Sequence, residues 1–284
     1  MIAALLLLCA VVLMAAPRFL VRIRGLRRSP RAALLLWQSM SLSAVLCLLF
    51  VGPVALGRPR PWPVEGVQLA VAIVACLASA AVLVRLLAHG RRVGRRIRAA
   101  RAEHRALVDL VGRHDGERTR VLPSQALSAY CLPGTGSRVV VTEATLTALP
   151  EDQLAAVVAH EEAHLHERHD LILEFFTVLH TAAPRPLRTD AALREVALLV
   201  EVLADRAARK EVGEVALARA LLSLAESTGE PSAATGPAAG PGAAATRIRL
   251  LVADDPMPWQ TAVIYLVSAS VLLLPPGLAV LCAT

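Results

Sequence analysis

The chain is poor in charge, in aromatic side chains and in lysine. Of its 284 residues 19% are charged and 3% aromatic, whereas 56% are hydrophobic, and the mean hydropathy is +0.56. A soluble domain is roughly 45–50% apolar and about 25% charged. This composition therefore excludes a disordered tail and leaves more Leu, Val and Ala than a water-facing globule can use. A bilayer takes up such an excess. Lys210 is the one lysine, and the preference for Arg, with abundant Ala, Gly and Pro, reflects a GC-rich coding sequence rather than a mechanism. Five cysteines form no C-x-x-C pair; Cys9, Cys47, Cys76 and Cys282 lie in apolar runs and Cys131 stands alone. That excludes a disulfide framework and leaves small core-filling thiols. No segment repeats.

A net charge of +7 suggests nucleic acid until the positions of the basic residues are read. They cluster beside apolar runs: Arg18, Arg22, Arg24, Arg27, Arg28 and Arg31 follow the first, and Arg85, Arg91, Arg92, Arg95, Arg96, Arg98, Arg101 and Arg105 follow the third. This is the signature of membrane orientation, with no direct nucleic-acid partner expected. Apolar segments at 2–16, 32–56, 67–87 and 262–281 are each long enough to cross a ~30 Å hydrocarbon core as a helix, the first by extending through Phe19 and Leu20. Ala15, Ala16 and Pro17 could end a signal peptide, but no positive charge precedes the segment and six arginines follow it, so a retained span is expected.

An arginine-rich connection over 18–31 is expected on the cytoplasmic side, which places the N-terminus outside, an outer turn at 57–66 and the C-terminus outside. Trp62 and Trp259 fall near the expected interfaces. Pro275 and Pro276 are expected to kink the fourth span or end it early. The architecture read from this is mainly α: a multi-pass cell-membrane protein with four transmembrane helices and a cytoplasmic α+β domain inserted between spans 3 and 4. The divisions are 1–89, 90–259 and 260–284.

The polar region opens with an arginine-rich helix over 91–112, whose positive face suits anionic lipid. Two β-like runs at 127–132 and 137–142 flank Pro133, Gly134, Thr135 and Gly136, a hairpin signal. Val139, Val140 and Val141 suit a shielded strand; were it a sheet edge, it could hold an extended peptide by main-chain hydrogen bonds. Helices are expected at 143–149, 151–168, 171–181, 191–210 and 212–227. Pro150, Glu151 and Asp152 make a good helix start. The stretch 227–246, rich in Ala, Gly, Pro, Ser and Thr, reads as a flexible loop, and 247–253 as a short helix.

His160, Glu161, Glu162, Ala163 and His164 form H-E-x-x-H within the second of those helices. Residues four apart share a helical face, so both imidazoles can reach one Zn²⁺. Glu161, rotated ~100° from His160, can reach the nucleophilic water without ligating the metal. A catalytic zinc normally takes a third protein ligand. One scheme places it six residues after the second His, at Asp170, but Glu167 stands where the turn needs glycine. The other takes Glu201, on the apolar helix of Val196, Leu199, Val200 and Leu203. A carboxylate there is costly to bury unless it binds a metal or a partner. Asp205, one turn on, can accept from the outer nitrogen of a ligand His and set its tautomer; alternatively the two acids form a solvated edge paired with Arg206 or Arg209. His166 and His169 read as solvated helix-end residues and His180 has no required role. His89, His104 and His114 belong to the arginine-rich stretch.

The string from Ser128 through Pro133 and Gly134, then Val139 to Thr142, His160 to His164 and Glu201 to Asp205, resembles membrane-embedded gluzincin peptidases. Three spans before the domain and one after are similar to antirepressor metallopeptidases of the BlaR/MecR type. The resemblance implies one zinc per chain held by His160, His164 and Glu201, with Glu161 as the catalytic base. It also implies cleavage of the protein itself or of a cytoplasmic repressor of the BlaI/MecI type, with membrane lipid as the other partner. The chain ends three residues after Leu281, so a large extracellular penicillin-binding sensor is not expected. Two other readings stay open: a quality-control peptidase of the Ste24/HtpX type, which shares H-E-x-x-H and the E-x-x-A-D string, and a non-enzymatic signalling scaffold with structural zinc or none.

Overall fold

The computed structural model describes residues 2–57, 65–227, 242–253 and 256–281. In chain order, α1 (Ile2–Ala15), α2 (Pro17–Leu20), a 3-10 turn (Arg24–Arg28), α3 (Pro30–Leu56) and α4 (Glu65–Val111) come first. Strands β1 (Arg113–Asp115), β2 (Thr119–Leu122), β3 (Ala129–Leu132) and β4 (Arg138–Thr142) follow. Then come α5 (Glu143–Ala148), α6 (Glu151–His166), α7 (His169–Ala182), a 3-10 turn (Arg185–Leu187), α8 (Asp190–Val212), α9 (Glu214–Ser227), α10 (Ala243–Val252) and α11 (Pro258–Val280). The chain divides into two compact units, one of residues 1–91, 178–192 and 256–284 and the other of 92–177 and 193–255.

In the first unit, α3 packs against α1 and α11. Four helical stretches are long and apolar enough to cross a membrane: Ile2–Leu20, Pro30–Leu56, Glu65–Val111 and Pro258–Val280. Their outward side chains include Leu8, Val67, Val74, Leu266 and Leu273, all exposed. So much exposed apolar surface is what lipid, not water, solvates, and the chain reads as a membrane protein. The inner faces use small residues and hydroxyls. A Cβ on Gly52 would lie 2.6 Å from the Cα of Cys76, so α3 and α4 cross at backbone distance there. Ser43 Oγ donates to the Val271 carbonyl at 2.6 Å and Ser79 Oγ to that of Leu48 at 2.8 Å. Close backbone approach and interhelical hydroxyl bonds hold apolar helices together where hydrophobic exclusion cannot.

Two expectations for the helices are corrected. The span at 67–87 and the arginine-rich helix at 91–112 are one continuous α4, about 70 Å long at 1.5 Å per residue. No proline interrupts it, and arginine is a good helix former. Pro275 and Pro276 do not end the last helix, which runs on to Val280 with Pro275 buried. Neighbouring groups make up for the backbone bonds that proline removes in such helices. Trp62 and most of the 57–66 turn lie outside the described residues, as does 228–241 of the expected loop. The described end of that loop, from Ala243 onward, is already helix α10.

The second unit carries a four-stranded sheet in the order β1-β2-β4-β3. β3 and β4 form the expected antiparallel hairpin, Ala129 opposite Val141 and Leu132 opposite Arg138. Gly134 (φ +120°) and Gly136 (φ +68°) supply the backbone conformations its turn needs. β1 and β2 were not legible: one is wholly exposed, and both are short and polar-flanked. β2 runs parallel to β4, with Thr119 opposite Val139. This makes β4 an interior strand, its three valines at 0–1% exposure. The β-branched run is therefore core rather than edge, and the edge strands are β1 and β3. A separate core joins α6, α8, α9 and α10 through Ala156, Val157, Ala208, Leu217, Ala220 and Leu251. Each fully buried leucine or valine in it is worth about 1.5–3 kcal/mol.

Candidate metal centre

Helix α6 starts after Pro150 with Glu151 and Asp152 against its N-terminal dipole and buries Ala156, Val157 and Ala159 one turn before the motif. That face continues into His160 and Ala163, so the imidazoles are carried inward by the same stripe that anchors the helix. Helix α8 buries Val196, Leu199, Val200 and Leu203 and brings the Glu201 and Asp205 carboxylates to the same place.

The three candidate ligand groups meet. His160 Nε2 and His164 Nε2 are 3.1 Å apart, Glu201 Oε2 is 3.4 Å from the first and Glu201 Oε1 is 3.5 Å from the second. They form a cluster able to hold a metal ion. Zinc bonds of about 2.0–2.2 Å in tetrahedral geometry put neighbouring ligand atoms about 3.3–3.5 Å apart. The two imidazole nitrogens lie just inside that spacing, each Glu201 oxygen meets it toward one of the two rings, and two imidazoles with one carboxylate are a donor set zinc favours. Asp170 is elsewhere, paired with Arg101 at 2.9 Å. His180 pairs with Asp190 at 2.9 Å.

The outer nitrogens are held as well. His160 Nδ1 lies 3.0 Å from Asp205 Oδ1. His164 Nδ1 lies 3.1 Å from His169 Nδ1. His169 is 1% exposed, so the expectation of a solvated helix end is overturned. The cause is local: Arg168 adopts φ +51°, the left-handed conformation, and the turn brings His169, the first residue of α7, onto the His164 ring.

A basic side chain from a third helix reaches both acids. It is Arg247 of α10: its Nε and Nη2 reach the two oxygens of Asp205 at 2.8 and 2.6 Å, and Nη1 reaches Glu201 Oε2 at 3.0 Å. Nothing in the sequence pointed to it, since it follows 42 residues after Asp205 across a low-complexity stretch.

Burial disfavours charge on both histidines. For His160 the hydrogen bonds to Asp205 and Glu201 outweigh it and raise the pKa to about 10. His164 lacks such a partner, and burial together with the neighbouring His160 charge lowers it to about 3. Burial opposes the ionised form of Glu201 too, but Arg247 and His160 hold it below the ordinary carboxylate range. Desolvation raises Glu161 to about 7, opposed by the charge of His160. Burial, and after it the neighbouring Glu161 carboxylate, pushes up the Cys131 thiol of β3. Cys9, Cys47, Cys76 and Cys131 are all free thiols.

Residues 96–188 match the model of Peptidase family M48, a stretch that includes the sheet and both motif histidines and stops short of Glu201. The match supports a membrane-type zinc metallopeptidase and does not single out the antirepressor type. No curated protein and no solved structure matches the chain.

Proposed function

We propose that the chain is an integral-membrane zinc metallopeptidase that hydrolyses peptide bonds on the cytoplasmic face. The observation that carries this reading is the triangle of His160, His164 and Glu201 on two buried helix faces, with Glu161 beside it. His160, His164 and Glu201 would hold a zinc ion, whose chemistry there would be Lewis acidity toward water and the scissile carbonyl. Asp205 keeps His160 oriented with Nε2 toward His164 and Glu201.

Glu161 is the proton carrier. A carboxyl near pKa 7 can take a proton from water at neutral pH and return it to the leaving amine nitrogen. The edge strand β3, which packs against α6, is suited to hold an extended substrate by main-chain hydrogen bonds. Sheet addition reads backbone more than side chain, so site selection rests on what segment can reach the edge unfolded.

For the physiological role we favour regulatory cleavage of a cytoplasmic repressor or of the protein itself, as the arrangement of spans around the domain suggests. The string Glu201-Val-Leu-Ala-Asp205 favours the second reading, quality control of membrane proteins. One repressor cut at one site supports the first, and broad cleavage of misfolded membrane proteins supports the second. The activity itself is tested with Glu161→Gln in detergent: peptide cleavage falls by about 10²–10⁴ while one zinc per chain stays bound. Full activity in that variant, or zinc retained unchanged in Glu201→Gln, overturns the assignment.

A further inference from the structure

His169 is the one buried histidine whose place the proposed chemistry does not use. Its ring is almost fully enclosed, and its Nδ1 has one neighbour of note, Nδ1 of His164 at 3.1 Å with the rings edge to face. Its Nε2 is 3.4 Å from Glu167 Oε2, a charge contact whose geometry falls short of a hydrogen bond. Burying an imidazole costs free energy that an apolar side chain would not incur, and the chain accepts a left-handed Arg168 to place it there.

We infer that His169 is a positioning residue for His164, fixing the tautomer in which His164 presents Nε2 to the metal. The inference rests on the zinc-peptidase reading above. For His164 to ligate through Nε2, its ring proton must sit on Nδ1. That N–H then donates to His169 Nδ1, and the proton of His169 sits on Nε2, facing Glu167. The opposite tautomer of His164 would turn its proton toward His160 and Glu201, where a ligand lone pair is needed.

The two ligand histidines are thereby held differently. His160 donates to a carboxylate, which both orients the ring and raises its basicity; His164 donates to a neutral ring, which orients it alone. His169 thus acts on metal retention through geometry, and a neutral acceptor at the same point should replace it. Asparagine meets that requirement, because its Oδ1 lies near where His169 carries Nδ1. Phenylalanine and leucine fill the space without an acceptor.

The test is the zinc dissociation constant of the full chain in detergent, measured by competition with a chromophoric chelator, with thermal melting of the chelated protein as a check on folding. His169→Phe and His169→Leu are expected to bind zinc about 10–100-fold more weakly, and His169→Asn to stay within about threefold of the wild type. Where His169→Phe does not fold, His169→Leu against His169→Asn decides. Wild-type affinity in an acceptor-less variant, or an equal loss in His169→Asn, overturns the inference. A wild type that binds no zinc, or binds it independently of Glu201, overturns the peptidase reading instead.

Discussion

The two units bury polar groups for opposite reasons. In the unit of apolar helices, the buried hydroxyls of Ser43 and Ser79 bond main-chain carbonyls, and Gly52 permits backbone contact. No charge is needed, because any residue that is small and self-satisfied will do. In the other unit, His160, Glu201, Asp205 and Arg247 sit together on helices whose other inward residues are mostly apolar. There the polar groups satisfy one another, and the arrangement holds only if all are present. The first kind of burial tolerates loss of a member; the second does not.

The sharpest way to break that contrast is Arg247→Met. Removing the cation leaves Glu201 and Asp205 buried without it, a defect worth about 3–5 kcal/mol in the metal-free protein. Zinc supplies positive charge to the same carboxylates, so the loss should shrink in the loaded protein; chemical denaturation with and without zinc measures both. An equal loss in the two states would mean that Arg247 acts by packing α10 alone. Next in size, Gly52→Leu forces side-chain volume against Cys76 and should cost about 1–3 kcal/mol, or lower the melting temperature by several degrees. Zinc affinity should be unchanged, and a change would show that the two units are coupled.

A third prediction concerns protons. His160 has its pKa raised to about 10, so in the metal-free protein it is charged at pH 7. Its contribution to stability is complete below its unfolded pKa of about 6.5 and is lost as pH rises through 10. Zinc must displace that proton, so loading near pH 7 should release close to one proton per ion and affinity should fall as pH falls. Calorimetry in buffers of different ionisation enthalpy counts the protons; none released would mean that His160 is neutral beforehand. The smallest effect is expected from Arg168→Gly, which relieves a left-handed backbone strain at the cost of a more flexible unfolded chain. Stability should move by less than about 1 kcal/mol, with zinc affinity held.

The apolar spans were legible because a 3.6-residue period is not even needed: runs of Leu, Val and Ala of that length have one physical use. The motif helix was legible because H-E-x-x-H sets its two imidazoles on one face by local geometry. The hairpin of β3 and β4 announced itself through Pro133, Gly134 and Gly136. β1 and β2 did not, since three or four residues without a clear alternation become a strand only when a neighbour pairs with them. For the same reason Val139 to Val141 could not be told apart as edge or interior until β2 was found beside them.

What the sequence determined by itself is whatever lies within one helix or one turn: four apolar stretches, the spacing of His160 and His164, and Glu201 and Asp205 one turn apart on an apolar face. What only the tertiary structure decided is which distant groups complete them. Glu201 rather than Asp170 closes the triangle, His169 lies against His164 through a single left-handed residue, and Arg247 reaches the acids from across the low-complexity stretch. Helical periodicity carries information over a few residues, whereas the meeting of α6, α8 and α10 depends on how their apolar faces pack, and no spacing along the chain records that.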